Sequence, residues 1–159
     1  MEANVLIPIV AIVVSGAVGL SGVLLNLRLR AERDTLERAS RRTTALQMLS
    51  DEEFALQKVR EECRGFMTLI DANEPRLQGS YQLLKESADR VVRESKELLS
   101  EVREKRRMTA ERIDTMTASE IERVIAGAYH GRMLAEVQLY RTTLSKADTI
   151  RIYLGEDSQ

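Results

Sequence analysis

The stretch VLIPIVAIVVSGAVGLSGVLL, residues 5–25, is 21 residues long and carries no charged side chain. A bilayer core about 30 Å thick needs about 20 residues of helix to cross it. In lipid, only a helix or a closed barrel satisfies its own backbone hydrogen bonds. The stretch therefore predicts a single-pass transmembrane helix, with residues 1–4 as a short extracytoplasmic N-terminus. A cleaved signal fits less well, because residues 1–4 carry no Lys or Arg and the apolar run is long.

Small side chains recur on one side of this predicted helix. Small residues at four-residue spacing let helix backbones approach closely in lipid, where packing drives association. The pattern predicts a membrane-helix association face, and a pore lining is a further interpretation of it. The residues of this face are Ala11, Ser15, Gly19 and Gly22.

Arginines follow the apolar stretch closely and none precedes it. Basic residues stay on the cytoplasmic side of a membrane, so we expect the N-terminus outside and residues 26–159 in the cytoplasm, at the cell (inner) membrane. Contact with anionic lipid headgroups is a second role open to the same residues. They are Arg28, Arg30, Arg33, Arg38, Arg41 and Arg42.

The remainder of the chain has an all-α composition, with two prolines, no Trp and one cysteine, Cys63, so no internal disulfide is expected. Ser50 and Glu53 match a capping box and predict a helix boundary at Ser50. This boundary separates a basic juxtamembrane helix, residues 26–49, from a cytoplasmic helical bundle, residues 50–155, with a tail at 156–159. The adjacent acids Glu52 and Glu53 are interpreted as part of a solvated helix face.

Three helices are predicted in the bundle: the second helix of the chain at 51–71, the third at 76–115 and the fourth at 118–154. A second capping box lies at Thr117 and Glu120, and Gly155 is the predicted stop. The matched lengths of the third and fourth helices favour a long antiparallel, coiled-coil-like hairpin. The third helix carries a heptad seam, which serves as core or oligomer contact. Its large members are Leu77, Tyr81, Leu84, Val91, Leu98 and Val102. The fourth helix has one broad apolar stripe, including Ile121, Ala128 or Tyr129, Met133, Val137, Tyr140, Leu144 and Ile150.

Few residues suggest chemistry. His130, the only histidine, lies between Gly127 and Gly131, and paired glycines inside a helix indicate a close helix crossing or a kink; a ligand niche beside His130 is the alternative. With one His and one Cys, no zinc site, other cofactor or catalytic set is expected, and the chain is predicted not to be an enzyme. A candidate anion patch consists of Arg103, Lys105, Arg106, Arg107 and Arg112.

Nearby glutamates balance this patch, and no aromatic residues are interleaved with it, so nucleic acid or nucleotide binding is not favoured.

We expect a membrane protein whose cytoplasmic helices form a homo-oligomer and sense a signal or a cytosolic protein partner. In architecture, one span followed by helices, the chain resembles the small membrane-anchored effectors of bacterial anti-phage systems. That resemblance implies clustering of the membrane helices into an ion-conducting pore. The alternative is a passive membrane anchor or scaffold that recruits a cytosolic partner.

Overall fold

The structure, a computed structural model, describes the backbone of residues 3–155 and the side chains of residues 22–77, 79–153 and 155. Within residues 3–155 every regular element is helical and no strand occurs, so the prediction of an all-α chain is confirmed. The elements are α1 (Ala3–Ala72), α2 (Glu74–Leu77), a 3₁₀ turn (Gln78–Ser80), α3 (Tyr81–Arg112), α4 (Ala118–Thr149) and a π-helical turn (Ile150–Leu154).

The chain divides into two units, Met1–Ser40 and Arg41–Gln159. In the first unit, the side chains described, residues 22–40, are all exposed. Of the helices in the part of the chain that was described, none has an apolar run sufficient to cross a membrane. Residues 5–21 of the predicted span lie outside the described side chains, so the span stays a prediction from the sequence. The exposed large apolar residues of this unit are Val23, Leu24, Leu25, Leu27, Leu29 and Leu36.

In the second unit, α1 from Arg41 to Ala72 supplies the large side chains of the core. Glu53 and Ala55 are also buried, but its other buried residues alternate at spacings of four and three, the heptad pattern of a helix that packs against neighbouring helices. They are Ala45, Leu49, Glu52, Leu56, Val59, Cys63, Phe66 and Ile70. The partners from α3 and α4 include Leu99, Val102 and Ala135 in one cluster and Tyr81 and Ala88 in another.

Ion pairs fix the directions of the helices. Contacts between α1 and α3 join early residues of one to late residues of the other, so these helices are antiparallel. Contacts between α1 and α4 advance together along both helices, so α4 runs parallel to α1, and α3 and α4 form the predicted antiparallel hairpin. The pairs are Asp71–Lys85 and Glu53–Arg103 for α1 and α3, and Arg41–Glu122 and Lys146–Glu62 for α1 and α4.

The predicted helix boundary at Ser50 is wrong, because α1 continues through this residue to Ala72. The core spacing of α1 runs without interruption across it, from Leu49 to Leu56. The Glu53 carboxylate, expected to reach back to Ser50, instead accepts a hydrogen bond from Arg103 of α3. The Glu53 side chain therefore binds a residue of another helix and does not complete the capping box at Ser50.

The other predicted boundaries lie close to those observed. The third helix begins at Tyr81 instead of residue 76, because α2 and the 3₁₀ turn precede it. The capping box at Thr117 is confirmed: its hydroxyl accepts from the Glu120 backbone N–H, and the Glu120 carboxylate accepts from the Thr117 N–H. Gly155 ends the last turn in the left-handed conformation, with φ of 67°.

Candidate interaction surface

An acidic pair lies in the middle of the bundle core. Glu52 and Glu53 are each only 8% exposed, so their interpretation as a solvated face is wrong. Glu53 Oε1 lies 2.7 Å from Arg103 Nε, and its Oε2 lies 2.9 Å from Arg106 Nη1. The two arginines of α3 thus neutralise a carboxylate that α1 carries into the core.

Glu52 points to the other side, against α4. A Cβ added at Gly131 would overlap its carboxylate, so the absence of a side chain at this position admits Glu52. Burial raises the pKa of the Glu52 carboxyl, and the positive charge of Lys105 opposes that effect. The close helix crossing that the glycine pair predicted therefore occurs at Gly131. Gly127 has more room, since its added Cβ would lie 3.4 Å from Lys105 Nζ.

The outward side of α4 carries an exposed apolar seam. Its residues alternate at spacings of four, three and four, and their exposed fractions lie between 42% and 65%. We call this set the outer seam: Met133, Val137, Tyr140 and Leu144. His130 and Tyr129 are also exposed, one turn before it. A heptad spacing of apolar residues is the pattern by which one helix packs along another.

The inward side of α4 has the opposite character. Its buried residues recur every seven positions and are mostly small: Ile121, Ala128, Ala135, Thr142 and Thr149. If Val137 and Leu144 are heptad positions a, with Met133 and Tyr140 at d, these buried residues occupy position f, on the opposite side of the helix. The four apolar side chains of the outer seam thus point away from the bundle, whereas Ile121 is buried and Leu139 packs against the core.

The broad apolar stripe predicted for this helix combines residues from both sides. In the sequence, a seven-residue spacing from Ile121 to Thr149 distinguishes the inward residues. This series includes Ala128 but neither Met133 nor Tyr140. Two apolar stripes on opposite sides of one helix indicate two different packing partners. On the inward side, Ala135 packs with residues of α1 and with Leu99 and Val102 of α3.

The predicted anion patch is distributed among ion pairs. Arg103 and Arg106 contact Glu53, whereas Arg107 contacts Glu104 and Glu111 on its own helix. Lys105 and Arg112 line an open groove of about 620 Å³ whose walls also carry acids. These acids are Glu101, Glu104 and Glu120. The arrangement is mixed in charge and does not bring the five cations to one anion position.

The predicted seam of α3 lies mostly in the core. Leu77, Tyr81 and Val102 are buried, Leu84 and Val91 are half-buried, and Leu98 is 47% exposed. Leu99 is buried in place of its neighbour Leu98, whereas Tyr81, Ala88, Ser95 and Val102 are buried at an exact seven-residue spacing.

The remaining predicted residues belong to α1. Arg28, Arg30, Arg33 and Arg38 are exposed in the first unit, and Arg28 pairs with Glu32. In the second unit, Arg41 pairs with Glu122 and Arg42 with Asp114 of the α3–α4 turn. Gly22 is exposed, whereas Ala11, Ser15 and Gly19 lie outside the described side chains.

No group of three potential metal ligands occurs among the described side chains. Comparison with known proteins gives no matching family model, no matching curated protein and no matching solved structure. The features that bear on function are therefore the outer seam and the sequence of the N-terminal stretch.

Proposed function

We propose that this protein is a non-catalytic, membrane-anchored assembly module whose helical bundle self-associates through the outer seam of α4. The observation that carries the proposal is the position of that seam on the side of α4 opposite its buried residues. Exposed single apolar residues are common on protein surfaces, but a contiguous row at heptad spacing is typical of an interaction site.

The seam alone gives a modest affinity. Full burial of a large apolar side chain gains about 1.5–3 kcal/mol over full exposure, and the four seam residues are already about half-buried. Association also costs several kcal/mol in lost translational and rotational freedom. Attachment to a membrane raises the effective concentration of the bundles and favours a weak contact of this kind.

The N-terminal stretch is the proposed anchor. Residues 5–25 are long enough and apolar enough to cross a bilayer, and the arginines that follow favour a cytoplasmic bundle. The exposed leucines between residues 24 and 36 extend the apolar surface of this segment. A reporter fused to the C-terminus tests the orientation: we expect activity for a cytoplasmic reporter and none for a reporter that requires the periplasm.

Association of the bundles brings several anchors together. The small residues Ala11, Ser15 and Gly19 favour close packing of such anchors, and an ion-conducting cluster is the effector function that we propose for the assembly. Ion leakage from cells that express the wild-type chain, reduced by Gly19→Leu, supports this function. An oligomer that forms without leakage indicates the scaffold alternative.

The mass of the full-length protein in mild detergent tests the assembly itself. We expect a defined oligomer for the wild type and a monomer for Val137→Glu/Leu144→Glu, because two charges on the seam oppose its burial. Leu83→Glu is the matched control, since Leu83 is exposed on α3, outside the seam. A monomeric wild type would refute the proposal, as would an oligomer that the seam substitutions leave intact.

A further inference from the structure

We infer that the partner of the outer seam is α4 of a second copy of this chain, paired in parallel so that Glu136 of one copy meets Arg141 of the other. This inference rests on the proposed self-association and specifies its geometry. Three features support it: the charges beside the seam, the residues within the seam, and the side on which the Arg41 ends of the two bundles lie.

The flanks of the seam carry complementary charges. With Val137 at position a and Tyr140 at position d, Glu136 occupies position g and Arg141 position e. In a parallel pair of helices, position g of one lies beside position e of the other, five residues further along. Glu136 then meets Arg141 of the second copy, once on each side of the two-fold axis. Charged e and g residues set partner choice and orientation in coiled coils.

An antiparallel pair does not allow this contact. There g faces g and e faces e, so Glu136 and Arg141 lie on opposite flanks of the interface. The preceding heptad has apolar residues at these two positions: Tyr129 at g and Leu134 at e, both more than half exposed. A parallel arrangement buries these two apolar side chains against each other, whereas an antiparallel one separates them.

Glu136 is available for such a contact. Within its own chain it accepts a hydrogen bond from Arg132 Nε at 2.8 Å, in an exposed pair four residues apart on the helix. Such surface pairs contribute little stability, and a carboxylate has a second acceptor oxygen. Arg141 is exposed on α4 next to Tyr140 and can reach across the seam.

The seam also has a polar residue, His130, at one position a. A polar residue at a single position a specifies the register of a coiled coil. A parallel pair also places the Arg41 ends of both bundles on the same side. The proposed anchors, which precede Arg41 in both copies, can then enter one membrane.

Disulfide crosslinking of the full-length chain in detergent tests the orientation. Val137→Cys and Leu144→Cys are made separately, and each is oxidised mildly. In a parallel pair each position a lies opposite itself, so both variants should form crosslinked dimers. The wild type is the background control, because its only cysteine, Cys63, is buried, and Leu83→Cys controls for collisional crosslinking at an exposed site.

The outcomes separate the inference from the proposed function. Failure of both seam cysteines to crosslink, in a protein that is an oligomer by mass, would overturn the parallel pairing and leave self-association standing. Crosslinking between a mixture of Val137→Cys and Tyr140→Cys chains, without self-crosslinking, would show an antiparallel pair. A monomer by mass would refute both.

Charge reversal gives a second test. We expect Glu136→Lys and Arg141→Glu each to weaken the dimer about tenfold, because each creates two like-charge contacts across the interface. In the double variant Glu136→Lys/Arg141→Glu opposite charges face each other again. Its dissociation constant should therefore return to within about threefold of the wild-type value. Additive weakening in the double variant would contradict the inferred pairing.

Discussion

The carboxylate of Glu52 on α1 fills the space that a side chain at Gly131 on α4 would occupy. The contact lies where α1 and α4, which run parallel, approach each other in the bundle. A side chain at Gly131 would displace the buried end of the Glu52 side chain.

Replacement of this glycine should therefore destabilise the bundle. Gly131→Ala overpacks the crossing, which typically costs about 1–3 kcal/mol, less up to about 1 kcal/mol gained from the better helix propensity of alanine. We expect a net loss of up to about 2 kcal/mol in the free energy of unfolding, measured by denaturant titration of the full-length chain.

Two variants control this measurement. Gly65→Ala should be neutral or slightly stabilising, because its added Cβ would lie 3.9 Å from the mobile end of Lys146. Glu52→Ala in the Gly131→Ala background should recover part of the loss, since it removes the overlapping carboxylate. Equal effects of alanine at Gly131 and Gly65 would show that the crossing tolerates a side chain.

The sequence predicted the helices better than their partners. The seven-residue spacings and the Thr117 capping box are local features, so the hairpin and its turn follow from them directly. The continuation of α1 through Ser50 does not follow from local features, because Ser50 and Glu53 match a capping motif. In the structure Glu53 instead binds Arg103, a residue 50 positions away in sequence. The burial of Glu52 depends similarly on Gly131, which adjacent sequence cannot place beside it.

Glu52 should make the stability of the bundle depend on pH. Burial raises the pKa of this carboxyl above its ordinary value near 4.5. Between that value and the raised one, the folded state holds a proton that the unfolded state has lost. The free energy of unfolding therefore falls as the pH rises through this window. Above it, the fold bears the cost of a buried charge.

Glu52→Gln removes this titration. We expect the variant to gain stability relative to the wild type as the pH rises from 4 to 8, with little difference at the acidic end; urea unfolding at several pH values measures it. Glu61→Gln, at an exposed position on the same helix, is the control for the loss of one carboxylate. A difference that stays constant over this range would contradict a raised pKa at Glu52.

Arg103 and Arg106 should be redundant partners of one buried carboxylate. Each arginine is about half exposed, so the loss of either leaves Glu53 paired with the other and should cost less than about 1 kcal/mol. Loss of both leaves a buried charge without a cation, which typically costs about 3 kcal/mol or more. The double variant Arg103→Ala/Arg106→Ala should therefore lose more stability than the sum of the single ones.

Arg107→Ala is the matched control for this cycle, because Arg107 pairs with glutamates of its own helix at the surface and should matter little. Strict additivity of the two arginine substitutions would mean that solvent reaches Glu53 well enough to stabilise its charge. In that case the acidic pair would contribute less to the specificity of helix packing than its burial suggests.

The turn between α3 and α4 should depend on Thr117, which caps the first turn of α4. Thr117→Ala removes a hydroxyl that accepts from the Glu120 N–H at 3.3 Å and should cost about 1 kcal/mol. Hydrogen bonds from Thr117 also lower the pKa of the Glu120 carboxyl. Their contribution is present above the ordinary pKa of glutamate and is lost as the pH falls through the lowered value. The difference in the free energy of unfolding between wild type and Thr117→Ala should therefore shrink in acid. The control variant Ser119→Ala should show neither the loss of stability nor its pH dependence. An unchanged difference at low pH would show that the hydroxyl acts without the carboxylate.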